Sequence, residues 1–266
     1  MRLLLPVVPL LLTACVSSTV TQGLEIDAAE GSTRNIASLS AVVARDPRDP
    51  RAYNTRGAAY GRAGKFAKAE EDFDRAIALD PRYAEAYSNR GQVRGRMGRA
   101  AEAVADYGRA IQLNPRYDNA YVGRGDIYMR AGQPRQAFRD YDRAVQLDTT
   151  NPRAYHNRGL VLQRQGQHDD AIEDFSRDIS LSGKRAEPYN ARGLSYLAQG
   201  QSDNALDDFN AALRLNKDYA AAWVNKGLVY ERRGNKRLAF RAFSKAQRID
   251  PKYGPARSGA SRTRRG

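Results

Sequence analysis

The chain of 266 residues holds one thiol, Cys15, and two imidazoles, His156 and His168. A single cysteine cannot form an internal disulfide, and two histidines without a second thiol fall short of a zinc set. Ser, Asp and Glu are abundant but recur in register with one another, which marks them as architecture and leaves no nucleophile, base and acid together. The glycines also recur at a fixed step, so they build packing and turn positions and not a phosphate-cradling loop. The sequence therefore predicts no catalytic residue, no metal and no cofactor. What remains is a repeated set of cationic and amide side chains. Arg62, Arg96, Arg130, Arg164 and Arg232 share one column, with Ala198 in the remaining place. Asn89, Asn157 and Asn225 occupy a second column, and Asn54, Ser88, His156 and Asn190 a third. Guanidinium forks favour carboxylate or phosphate. A primary amide donates and accepts at once, which suits an extended peptide backbone.

The elements that position these groups follow a period of 34 residues, set by Arg56-Gly57, Arg90-Gly91, Arg124-Gly125, Arg158-Gly159, Arg192-Gly193 and Lys226-Gly227. An aromatic precedes each glycine by four residues (Tyr53, Tyr87, Tyr121, Tyr155, Tyr189, Trp223), and a second glycine follows by seven (Gly64 to Gly234). Ala69 and Phe73, with their equivalents, open a second apolar stripe at helical spacing. The pattern resembles the tetratricopeptide repeat (TPR) family. The resemblance implies an all-α superhelical solenoid of six 34-residue helix-turn-helix repeats over residues 50–253. Each hairpin buries its face only by stacking on the next. Residues 35–49 fit the register as a partial repeat, a capping helix with Leu39 and Val42 turned inward. Residues 254–266 are rich in Gly, Ser and Arg and predict a basic, disordered tail with no solvating cap helix.

Two departures stand out. Asp178 replaces the alanine found at Ala76, Ala110, Ala144, Ala212 and Ala246, and a buried carboxylate needs a partner. Arg177 and Lys184 are the nearest cations in sequence. The arginine before each glycine is matched by an aspartate sixteen residues later, Asp72, Asp106, Asp140, Asp174 and Asp208. In the sixth repeat the arginine becomes Lys226 and the aspartate becomes Ala242. Joint loss of both predicts a structural Arg–Asp pair and not an anion-binding stripe.

The N-terminus reads as an address. Met1 and Arg2 precede an apolar run from Leu3 to Leu12, too short for a membrane-spanning helix of about 20 residues. Leu12-Thr13-Ala14-Cys15 resembles the bacterial lipoprotein signal. That resemblance implies a signal peptide over 1–14, lipid on Cys15, and a tether over 15–34. Val16 after the cysteine implies the outer membrane, facing the periplasm, in a two-membraned cell.

In the TPR family the first helices of the units line a concave surface that binds partner segments. Carried onto this chain, that implies a partner-binding face at Asn54, Arg62, Asn89, Arg96, Arg130, Asn157, Arg164, Asn225 and Arg232. The Lys–Asn clamp of chaperone-binding members is absent, since Asn54 and Ala58 stand in its places. The net charge of +14 points to anionic partners. The expectation is a non-catalytic envelope scaffold or adaptor that takes envelope proteins or acidic, extended polypeptide segments. A pilus or secretion assembly factor and a binder of anionic glycan or lipopolysaccharide are the alternatives. The basic tail is expected to touch anionic glycan or lipid. Nucleic acid is not expected as a partner of a secreted, lipid-anchored chain.

Overall fold

A computed structural model describes residues 33–147 and 149–264. Cys15, the signal segment, nearly all of the tether and Arg265 lie outside the described residues.

Among the described residues every regular element is a helix. The half-unit α1 (Thr33–Arg45) is followed by the pairs α2 (Pro50–Arg62) and α3 (Phe66–Leu79), then α4 (Ala84–Arg96) and α5 (Ala100–Leu113). Next come α6 (Asp118–Arg130) and α7 (Pro134–Gln146), then α8 (Pro152–Arg164) and α9 (His168–Ser182). The last pairs are α10 (Ala186–Ala198) with α11 (Ser202–Leu215), and α12 (Ala220–Arg232) with α13 (Lys236–Ile249), before a terminal α14 (Gly254–Thr263). Each first helix packs on its own second helix, and each second helix on the next unit's first, so the units stack as a solenoid of helical hairpins.

The two glycines per unit do different work. Gly57 sits where a Cβ would lie 2.8 Å from the ring of Phe73, so its absence lets the two helices of the hairpin close on that ring. The ring is buried, an apolar contribution of about 2 kcal/mol. Gly64 closes the turn at φ 71°, a left-handed conformation that a side chain would strain.

The two ends differ from the sequence expectation. In α1 the buried residues are Ile36 and Val43, whereas Val42, expected to face inward, is 46% exposed. Among the described residues α1 has no first helix of its own, so it settles with a different stripe inward. At the other end, the expected disordered tail is wrong for residues 254–263, which form α14 and pack on α12 and α13. The Gly and Ser content that suggested coil is what allows close approach. A Cβ at Gly259 would come within 2.4 Å of the Phe243 ring, and Ala256 and Ala260 are buried beside it. Arg262 lies over that ring at 5.9 Å and pairs with Glu231 at 2.9 Å. So the solenoid does carry a cap, built as the start of a further first helix. Gly259→Leu is expected to lift α14 from Phe243 and cost about 1–3 kcal/mol, the range for overpacking. Thermal unfolding and faster tryptic cleavage at Arg257 would register it; an unchanged melt would not fit this packing.

Candidate partner-binding face

Consecutive first helices touch, α2 with α4, α4 with α6, α8 with α10 and α10 with α12, and no such contact recurs between second helices. The stack therefore curves with its first helices inside. Their last turns carry the arginine column. Arg96, Arg130, Arg164 and Arg232 are exposed there and Arg62 is half-buried. Helical side chains lean toward the N-terminus, and these do so across the unit boundary. A Cβ at Gly95 would stand 3.3 Å from Arg130 Nη2, and Arg232 Nη1 donates to the Leu197 carbonyl at 2.9 Å.

The asparagines are placed on the same helices but are already engaged. Asn89 Nδ2 donates to Asn54 Oδ1 at 2.9 Å, and Asn54 Nδ2 donates to the Tyr83 hydroxyl at 3.2 Å. The arrangement repeats four units later: Asn225 donates to Asn190 at 2.8 Å, and Asn190 donates to Tyr219 at 3.5 Å. Asn225 is buried. Asn157 Nδ2 donates to Asp126 at 2.8 Å. These amides tie one unit to the next, so the charge contacts offered to a partner fall to the arginines.

Asp126 was not singled out from sequence. It is buried on α6, accepts from Tyr141 Oη at 2.8 Å, and pairs with Arg153 as well as Asn157. The signal was available: Tyr141 places a hydroxyl where four other units have phenylalanine, and a buried hydroxyl seeks an acceptor. Burial pushes the Tyr141 hydroxyl pKa up, so it serves as a donor. The carboxylate is thus spent inside the face.

The predicted Arg–Asp pairs are all present. Arg56, Arg90, Arg124, Arg158 and Arg192 each grip the aspartate sixteen residues on through Nε and Nη2, at 2.6–2.9 Å. Most also reach back to the preceding unit: Arg90 to Asp74, Arg158 to Asp142, each at 2.7 Å, and Arg192 to Ser176 at 2.9 Å. Each such fork fastens three helices. The bond to Asp174 holds Arg158 further protonated, while burial raises the Asp174 carboxyl. Lys226, without an aspartate, donates to Asn210 at 2.7 Å and lies over Trp223 and Tyr230; burial lowers its pKa.

Asp178 is 0% exposed, and its partners are not the cations nearest in sequence. His156 Nδ1 sits 3.0 Å from Oδ2, Ser182 Oγ donates to Oδ1 at 3.0 Å, and Arg185 stands 3.7 Å away. His156 and Arg185 occupy the places of Asn54 and Tyr83 in the first unit, so three positions have changed together. His156→Ala is expected to cost about 2–4 kcal/mol by stranding the carboxylate. The triple change His156→Asn, Arg185→Tyr, Asp178→Ala copies the combination of the first and fifth units (Asn54, Ala76, Tyr83 and Asn190, Ala212, Tyr219) and is expected to be neutral or stabilising. Urea unfolding of both variants distinguishes a coupled trio from independent substitutions. Ser182 contacts the aspartate and no contact joins it to His156, so the trio lacks the order of a nucleophile relay.

Known families and structures match this arrangement. Tetratricopeptide repeat models match residues 50–83, 150–218 and 190–254, and a TPR repeat model matches 96–132 and 125–166. A search of curated proteins finds no match. Among solved structures, the Cut9–Hcn1 hetero-tetramer of the APC/C aligns at TM-score 0.72 and 21% identity over 88% of this chain. This chain spans 46% of that one, under half its length. YrrB, described as a TPR protein with an unusual peptide-binding site, aligns at TM-score 0.64 and 24% identity over 72% of this chain and 99% of its own. PilW, described as a widely conserved type IV pilus biogenesis factor, aligns at TM-score 0.67 and 17% identity over 79% and 97%. These likenesses show the fold.

Proposed function

Because the chain belongs to the tetratricopeptide repeat family, a family of protein-interaction scaffolds, we propose that it is a non-catalytic adaptor of the bacterial cell envelope. It takes acidic or extended segments of envelope proteins on its inner face. The observation that carries this reading is the arginine column at the ends of α4, α6 and α8. Arg96, Arg130 and Arg164 are exposed and acquire no acidic partner among the described residues, while the column beside them is saturated with aspartate. Guanidinium groups offered to solvent at three successive units along a concave surface meet carboxylates spaced along one chain. The peptide-binding site described for YrrB is compatible with this use of the fold.

The proposal places the chain at the membrane through lipid on Cys15, in the outer membrane facing the periplasm where two membranes exist. The likeness to PilW favours one narrower variant, an assembly factor for a pilus or secretion machine. Pull-down of the lipidated chain from crosslinked envelope extract, beside the variant Arg96→Glu, Arg130→Glu, Arg164→Glu, tests the proposal. A discrete protein set held by the chain and lost from the folded variant supports it, and pilus or secretin components in that set select the narrower variant. Recovery of glycan or lipopolysaccharide alone would replace the adaptor by an anionic-polymer binder.

A further inference from the structure

The positive charge of this chain is concentrated at one end. Residues 231–264 carry eleven Lys or Arg against two acids, Glu231 and Asp250, a net of +9 within a whole-chain +14. Helix α13 is the source of the imbalance. The second helices of the other five complete units each carry at least two acids, whereas α13 has five basic residues and none. Arg237, Arg241, Lys245 and Arg248 run down its length at steps of four, four and three, over about 16 Å. Three of them are exposed and Lys245 is half-buried. None has an acidic partner among the described residues. Arg257 extends the charge onto the cap helix α14.

This placement works against the helix. Like charges four residues apart repel. Lys236 and Arg237 also stand in the first turn, the positive end of the helix dipole, where α5, α9 and α11 carry acids. Local stability therefore does not explain the stripe. The surface lies on an outer helix and a cap, away from the concave face, and holds no apolar anchor: the exposed large hydrophobic residues are Val42, Met97 and Leu215, all elsewhere. A protein interface centres on buried aromatic or aliphatic anchors within a polar rim. A wide cationic surface without them fits a partner read by charge density alone.

We infer that the outer face of α13, with α14, is a docking surface for an anionic phospholipid bilayer. It is distinct from the concave face and independent of any acyl chain. Held there, the solenoid would lie with its last units at the headgroups and its inner face open to solvent partners.

Vesicle co-sedimentation of the full chain carrying Cys15→Ala, so that no lipid is attached, tests this. The probes are vesicles of phosphatidylcholine alone and of phosphatidylcholine with phosphatidylglycerol. The comparison chain adds Arg237→Gln, Arg241→Gln, Lys245→Gln and Arg248→Gln, and a control instead changes Arg135, Arg139 and Arg143 on α7 to Gln. Binding confined to phosphatidylglycerol vesicles, falling with salt, is the expected result. Each basic residue near an anionic surface is worth roughly a factor of five, so the quadruple change should weaken binding on the order of 100-fold or more, and the α7 control far less. Equal binding to both vesicle types, equal weakening by the α7 control, or binding to soluble polyphosphate or acidic protein without vesicle binding would overturn it. Where the quadruple variant misfolds, the two-vesicle comparison on the otherwise unaltered chain still overturns the proposal if phosphatidylglycerol adds nothing, and the α7 control overturns it if that change alone abolishes binding.

Discussion

Arg158→Ala is expected to lower stability by about 3–5 kcal/mol, the largest single effect at any position outside the apolar core. The guanidinium grips Asp174 through two bonds and Asp142 through a third. Its removal leaves Asp174, 2% exposed, as a charge in the interior with nothing opposite. Burial already raises that carboxyl in the intact protein, and without Arg158 its folded-state pKa must rise further above the unfolded value of about 3.9. A group raised in the fold adds stability below its unfolded pKa and loses it as pH climbs through its folded pKa. The variant's deficit should therefore be small in acid and full at neutral pH. The sixth unit supplies a natural reference. There Ala242 takes the place of the aspartate, Lys226 bonds Asn210, and the unit remains packed. Arg158→Lys with Asp174→Ala copies that arrangement, with Asp142 in place of Asn210, and is expected to cost under about 2 kcal/mol. Urea midpoints for the single and double variants across pH check both statements, and equal losses in the two would contradict the pairing.

The second large effect concerns binding. Reversing Arg96, Arg130 and Arg164 to glutamate is expected to weaken a captured segment on the order of 100-fold or more while leaving helicity intact. These side chains are exposed in the last turns of α4, α6 and α8 and, among the described residues, make no ion pair that supports the fold. The contrast with the neighbouring column is sharp. The Arg56 to Arg192 series belongs to the fold, and changing it is expected to destabilise the chain. Arg96, Arg130 and Arg164 belong to the surface, and changing them should alter partners only. Affinity of the unaltered chain should fall with salt, because exposed charges are screened beyond about 8 Å at physiological ionic strength. Titration calorimetry with the captured segment measures both.

The repeat register was legible because the same packing problem is solved six times, so noise in one unit is corrected by the others. The Arg–Asp pairs were legible for the same reason: the sixth unit loses both partners together. Singular features were not. Asp178 has no counterpart in other units, and its partner His156 is 22 residues away on a different helix, so chain proximity pointed instead to Arg177 and Lys184. Asp126 lay hidden because its meaning depends on the hydroxyl of Tyr141 and on Arg153 from the next unit. The terminal helix failed on a conflict of signals. Gly259 weakens an isolated helix by about 1 kcal/mol, yet only a glycine there can lie against the Phe243 ring. The asparagines show the converse error. Their chemistry suits a peptide backbone, but the stack uses it first, joining Asn54 to Asn89 and Asn190 to Asn225.

Site-specific photocrosslinking tests the central claim most directly. A photoreactive residue is placed at Gln92 or Arg96, exposed on α4, and in parallel at Arg109 on α5 or Arg143 on α7, exposed on outer helices. Irradiation in envelope extract should give a discrete partner adduct from the α4 positions, abolished by Arg130→Glu with Arg164→Glu, and none from the outer ones. Adducts only from α5 and α7, unchanged by those reversals, would contradict capture on the concave face.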